Sequence, residues 1–160
     1  MNTNRFSIVR RSSLLTLVAV VASACGSDSS TEPEPDRLTI ADMVGSWKAS
    51  SLVMTSQADP SQQFDIVAAG GEFRVTVLNH GGARAWLDLG DFSDEWDSQW
   101  TLNGDQLTST PVESSRPTRR YTVLLEGTTL TATGTDGSFD FSFTGAAGVP
   151  ANETVVLVRQ

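Results

Sequence analysis

The chain reads as an all-β protein, an antiparallel up-and-down barrel of about eight to ten strands preceded by a short helical turn. Three observations carry this. Beyond residue 44 apolar residues recur at every second position, in runs broken by glycine-containing turns, which is the pattern of half-buried strands. Neighbouring runs place their apolar residues on a common face when folded about those turns. Slipping a strand by one residue would turn its whole apolar set outward, so such agreement between registers is informative. Many short sequential strands would leave two open edges, and closing the sheet on itself removes both.

Residues 1–24 precede this pattern and have the three parts of an export signal. Arg5, Arg10 and Arg11 come first, then an apolar run from Leu14 to Val21, then small residues. That run has about half the ~20 apolar residues a membrane-spanning helix requires. Cys25 follows directly and is the only cysteine of the chain. The sequence Ala22-Ser23-Ala24-Cys25 resembles the lipobox of bacterial lipoproteins, with alanine at the first position where that family usually has leucine. The resemblance implies that Cys25 is diacylated, becomes the mature N-terminus and anchors the protein to a membrane. The other way to read the segment is an ordinary secreted protein cleaved after Ala24, with a free thiol. An aspartate directly after the cysteine is similar to an inner-membrane retention signal. Gly26 stands there instead, which implies a lipid-anchored envelope protein at the outer membrane, facing the periplasm.

Residues 25–37 are rich in serine, proline and acidic side chains and have no large apolar residue, so they read as a linker. Residues 38–160 form the single domain, 123 residues and enough for one packed core. Three of the 11 basic residues precede Cys25, whereas all 19 acidic ones follow it, so the mature chain has a net charge of −11. That balance disfavours nucleic acid and anionic lipid head groups. With one cysteine and one histidine, neither an internal disulfide nor a thiolate metal site is available, and no cofactor is expected.

Within the domain, Thr39 to Val44 reads as the helical turn and Ser46 to Ser56 as the first strand. A short strand at Phe64 to Ala68 follows. A loop at His80-Gly81-Gly82 would set Val77 opposite Ala85 and Val75 opposite Leu87, with Trp86 facing away from the apolar side. Asn103-Gly104 is a two-residue hairpin signal; it would set Trp100 opposite Leu107, with Trp96 and Leu102 on the same face. A turn at Gly127-Thr128 pairs Leu125 with Leu130, Val123 with Ala132 and Tyr121 with Gly134. Another at Asp136-Gly137 would pair Ala132 with Phe141 and Leu130 with Phe143. Glu153 to Arg159 is the last strand.

Val44-Gly45-Ser46-Trp47 resembles the opening of a lipocalin, where a helical turn leads through Gly-x-Trp into the first strand of an eight-stranded barrel. The resemblance implies that Trp47 packs under the closed end against a late arginine, a part Arg159 would take by stacking on the indole. It also implies an extracytoplasmic protein that binds or carries a small hydrophobic ligand. Avidin-like barrels share the Gly-x-Trp, and envelope domains with Trp-x-Leu-x-Gly-Asp hairpins are similar to Trp100 to Thr108.

The registers turn Trp96, Trp100, Tyr121, Phe139, Phe141 and Phe143 inward, where they would either wall a pocket or simply fill the core. The alternative to carriage is therefore a filled barrel that acts through its outer surface as an envelope interaction or assembly protein. Asp88, Asp91, Asp94, Glu95 and Asp97 crowd one connection without the spacing of a calcium loop, and read as a solvated acidic stretch. Arg116, Arg119 and Arg120 would either receive an acidic head group at the barrel mouth or, as the preferred reading, form a solvated loop and strand start. His80 lies in a glycine-flanked turn with no nucleophile beside it, and an enzyme is not expected.

Overall fold

A computed structural model describes residues 37–160. The expected signal peptide of residues 1–24, the Cys25 anchor and all of the linker except Arg37 lie outside them. Among the described residues are one helical turn, α1 (Ile40–Met43), and nine strands: β1 (Gly45–Ser56), β2 (Gln63–Asp65), β3 (Glu72–Val77), β4 (Gly82–Asp88), β5 (Ser93–Asn103), β6 (Gln106–Pro111), β7 (Arg119–Glu126), β8 (Thr129–Phe139) and β9 (Val149–Arg159). All pairings are antiparallel. From β3 onward each strand pairs with the next, and β1 pairs with both β3 and β9. The result is a closed eight-stranded barrel, an architecture compatible with the lipocalin-like fold, with β2 as a ninth strand on the flank of β1. No helix among the described residues is long and apolar enough to cross a membrane.

The helical turn closes one end of the barrel. Thr39 and Asp42 hold its start, the Asp42 carboxylate accepting from both the amide (2.8 Å) and the hydroxyl (2.6 Å) of Thr39. Trp47, 1% exposed, donates its indole N–H to the Met43 carbonyl at 2.8 Å. The Arg159 guanidinium lies 4.3 Å from the centre of the Trp47 ring and donates to the carbonyls of Val44 and Asp42. Gly45 sits between them at φ +133°, where a Cβ would come within 2.9 Å of the Arg159 Nη1. The tryptophan and arginine predicted to meet at this end do so, and the glycine before them is required by both its backbone angle and its lack of a side chain.

The Gly127-Thr128 hairpin has the predicted register throughout. Two other hairpins differ by two residues: Trp100 pairs with Ser109 and Leu102 with Leu107, while Val77 pairs with Ala83 and Val75 with Ala85. In the first, Gly104 and Asp105 form the turn, Gly104 taking the positive φ (65°). A shift of two leaves every side chain on its predicted face. Trp86 accordingly lies outside, covered by the Arg74 guanidinium 5.2 Å from its ring.

The Asp136-Gly137 turn is absent. β8 continues through an irregularity between Gly134 and Gly137 to Phe139, and its partner is β9, which sets Leu130 against Leu157 and Ala132 against Val155. The Asp140 carboxylate takes up the backbone that would have formed the predicted strand. It accepts from the amides of Ser142 (2.9 Å), Thr144 (3.0 Å), Gly145 (2.9 Å) and Ala146 (3.1 Å). Such side-chain acceptors compete with ladder hydrogen bonds, and here the loop forms instead. Ser50 is a second irregularity, an extra residue in β1 opposite β9 that lets Ala49 and Leu52 both face the core.

Candidate functional site

Strand directions place α1 and the turns at 78–81, 104–105 and 127–128 at the closed end. The connections at 57–71, 89–92, 112–118 and 140–148 lie at the other. Between them the barrel contains a cavity of about 360 Å³. Val75, Leu107, Leu130 and Leu157 line its deeper part, and Leu89, Pro111, Arg116 and Pro117 lie toward the open end. Several inward positions at mid-height are small: Ala85, Ser98, Ser109 and Ala132.

Four of the six predicted aromatic residues meet there. Trp96, Trp100, Tyr121 and Phe139 line the cavity. Phe141 and Phe143 do not, which corrects their inward placement: both follow the end of β8, and Phe143 is 62% exposed with φ 54°. They pack instead at the open end, Phe141 half-buried against the edge of the core and Phe143 exposed. Phe143 meets Phe64 at 4.7 Å between ring centres, and Phe141 meets Phe139 at 5.0 Å. Of the seven exposed large apolar side chains among the described residues, five belong to this end: Leu89, Phe92, Val112, Phe143 and Val149.

The charged groups of the cavity, with Tyr121, fall in two places. Toward the open end, Arg116 binds both carboxylate oxygens of Asp94 through Nη2 (2.7 and 2.6 Å) and lies 4.8 Å above the Trp96 ring, whose other neighbour is Phe73 at 6.2 Å. The expectation of a solvated basic loop is thus corrected for Arg116, which is half-buried, and for Arg119, which lines the cavity. Arg119 donates to the carbonyl of Asp136, while Arg120 points outward, 3.9 Å from the Asp136 carboxylate. On the wall formed by β7 and β9, the Tyr121 hydroxyl donates to Glu153 Oε2 at 3.3 Å. Burial, and then the Glu153 charge, push the Tyr121 pKa upward, so the phenol keeps its proton. Burial also raises the Glu153 pKa; Arg119 and the Tyr121 hydrogen bond offset this only in part.

Glu153 lines the cavity as well, a position not anticipated from the sequence. Its signal was available, since Glu153, Val155 and Leu157 alternate in one strand and therefore share the inner face.

The acidic stretch after β4 does not converge. Glu95 and Asp97 pair with Arg84 (3.3 and 2.8 Å), Asp94 pairs with Arg116, and Asp88 caps the Gly90 amide at 2.8 Å. No group of three or more metal-ligating side chains occurs among the described residues. His80 lies in the turn after β3, at the closed end and away from the cavity. Comparison with protein-family models and with curated proteins finds no match to this chain.

Proposed function

We propose that the protein binds a small, largely apolar molecule inside its barrel and serves as an envelope carrier or sensor, held to the membrane by acyl groups on Cys25. The cavity is the observation that carries this. Its volume of about 360 Å³ lies within the ~300–1,000 Å³ of small-molecule sites, and its walls combine many apolar side chains with few polar ones, as such sites do. Leu89, exposed at the open end, also lines the cavity, so apolar surface reaches from the rim into the interior. The alternative, a filled barrel acting by its outer surface, has this volume against it. The cavity residues are given binding roles and no catalytic ones.

The test uses N-phenyl-1-naphthylamine, a neutral apolar fluorophore. Trp96 and Trp100 line the cavity, so binding quenches their emission by energy transfer, saturably. Ala132→Phe fills mid-height space from an inward position and should abolish the effect while the protein still unfolds cooperatively. No saturable signal in the unaltered protein with this or other apolar probes would refute the proposal. Cys25→Ser, which should release the protein from membranes, tests the anchor separately.

A further inference from the structure

Glu153 presents an unusual combination. It is half-buried, it lines a mostly apolar cavity, and its only hydrogen-bond partner among the described residues is the Tyr121 hydroxyl, on one of its two oxygens. No Lys or Arg nitrogen among them lies within 4 Å of it, although every other acidic residue that lines the cavity is ion-paired, Asp94 with Arg116. Isolated carboxylates are costly in such surroundings, and the cost is met by pairing with a cation or by holding a proton. Arg119, the nearest charged group on β7, spends a nitrogen on the Asp136 carbonyl. From β1 and β8 the residues set against Glu153 are Met54 and Gly134, neither of them titratable.

We infer that the ligand is an apolar amine, whose ammonium group pairs with the free oxygen of Glu153 and whose hydrocarbon body lies against the aromatic and aliphatic walls. This rests on the carrier reading and names the ligand's head group. Three further features favour a cation. Tyr121, Trp96, Trp100 and Phe139 line the cavity, and the Arg116 guanidinium over Trp96 shows a cation already held against one of these rings. Residues 37–160 carry eight basic and 15 acidic side chains, so the surrounding field attracts positive charge. A fatty-acid anion would set a second carboxylate beside Glu153, an arrangement in which both groups cannot readily ionise.

The experiment compares dodecylamine, dodecanol and dodecanoate, each displacing N-phenyl-1-naphthylamine from the purified protein and from Glu153→Gln at pH 7. Glutamine keeps the shape of the side chain and removes its charge; a melting curve for each protein checks folding, and Tyr121→Phe provides a second variant that keeps the carboxyl group. A charge-assisted hydrogen bond in an enclosed site predicts that the amine binds at least about tenfold more tightly than the acid. In Glu153→Gln that preference should collapse while dodecanol affinity stays within about threefold; in Tyr121→Phe the preference should persist. Equal or tighter binding of dodecanoate, or an amine preference that survives Glu153→Gln, would overturn the inference and leave the carrier reading intact. Probe binding without displacement by the amine would overturn it too. Failure of the probe itself to bind would remove the carrier reading.

Discussion

The closed end offers the most direct test of the fold. Arg159→Met keeps the aliphatic stem of the side chain and removes the guanidinium. Two hydrogen bonds from a charged donor are lost, to the carbonyls of Val44 and Asp42, together with the stack on Trp47 at 4.3 Å. Bonds of this kind contribute ~1.5–3 kcal/mol each and an exposed cation–π contact ~0.5–1 kcal/mol. Both acceptor carbonyls can be rehydrated because this end is only partly buried, which puts the total near the low end, roughly 3 kcal/mol. For a domain of this size that lowers Tm by roughly 10–15 °C, measurable by near-ultraviolet circular dichroism through the Trp47 environment. Gly45→Ala approaches the same contact from the other side, combining a backbone at φ +133° with a Cβ 2.9 Å from the guanidinium. Once Arg159 is methionine the steric part of that cost disappears and only the backbone part remains, so the double variant should lose less than the sum of the singles. A Tm shift under about 3 °C for Arg159→Met, or strict additivity in the cycle, would refute the view that these three residues act as one lock.

Two further predictions concern stability. Because the Glu153 pKa is raised in the folded protein above its ordinary 4.5, the native state holds a proton that the unfolded chain releases; the stabilisation is complete below pH 4.5 and is lost as pH rises through the folded value. The Tm of Glu153→Gln relative to the unaltered protein should therefore rise with pH across that window, and parallel curves would contradict it. The carboxylates whose pKa values are lowered, Asp42, Asp59, Asp97 and Asp140 among them, act with the opposite sign, their contribution being lost as pH falls through their folded values. Asp140→Ala should speed amide hydrogen exchange at Ser142, Thr144, Gly145 and Ala146 while leaving the strand amides unchanged, since the loop would open without the barrel; unchanged exchange at those four sites would show that the carboxylate does not organise the loop.

Strand faces were more legible in the sequence than strand registers. Period-two patterning depends only on parity, and the hairpins after Val77 and Asn103 kept parity while their pairing moved by two residues. The Asp136-Gly137 turn failed for a different reason. Apolar alternation through Phe139, Phe141 and Phe143 looks like a strand, but a single aspartate with four amides in reach outcompetes a ladder, and Val155 and Leu157 are equally apolar partners for β8. Long-range pairing between β1 and β9, which closes the barrel, left only Trp47 and Arg159 as its trace in the sequence.

Whether the barrel is hollow depends on its small residues more than on its aromatic ones. An eight-stranded barrel is just wide enough for inward side chains to fill it or to leave room for one small ligand. At the closed end Met43, Trp47 and Val77 are almost wholly buried and fill the section. Higher up, β4, β5, β6 and β8 turn inward Ala85, Ser98, Ser109 and Ala132, and these short side chains cannot meet across the interior. Large rings at Trp96, Trp100, Tyr121 and Phe139 stand between them as walls, because the residues they would need to interdigitate with are missing. The same spacing brings Glu153 to the surface of that space with no Lys or Arg nitrogen within 4 Å of it among the described residues. Filling at one end and small residues at mid-height are separate features of the sequence, and together they account for a barrel that is packed at its base and hollow above it.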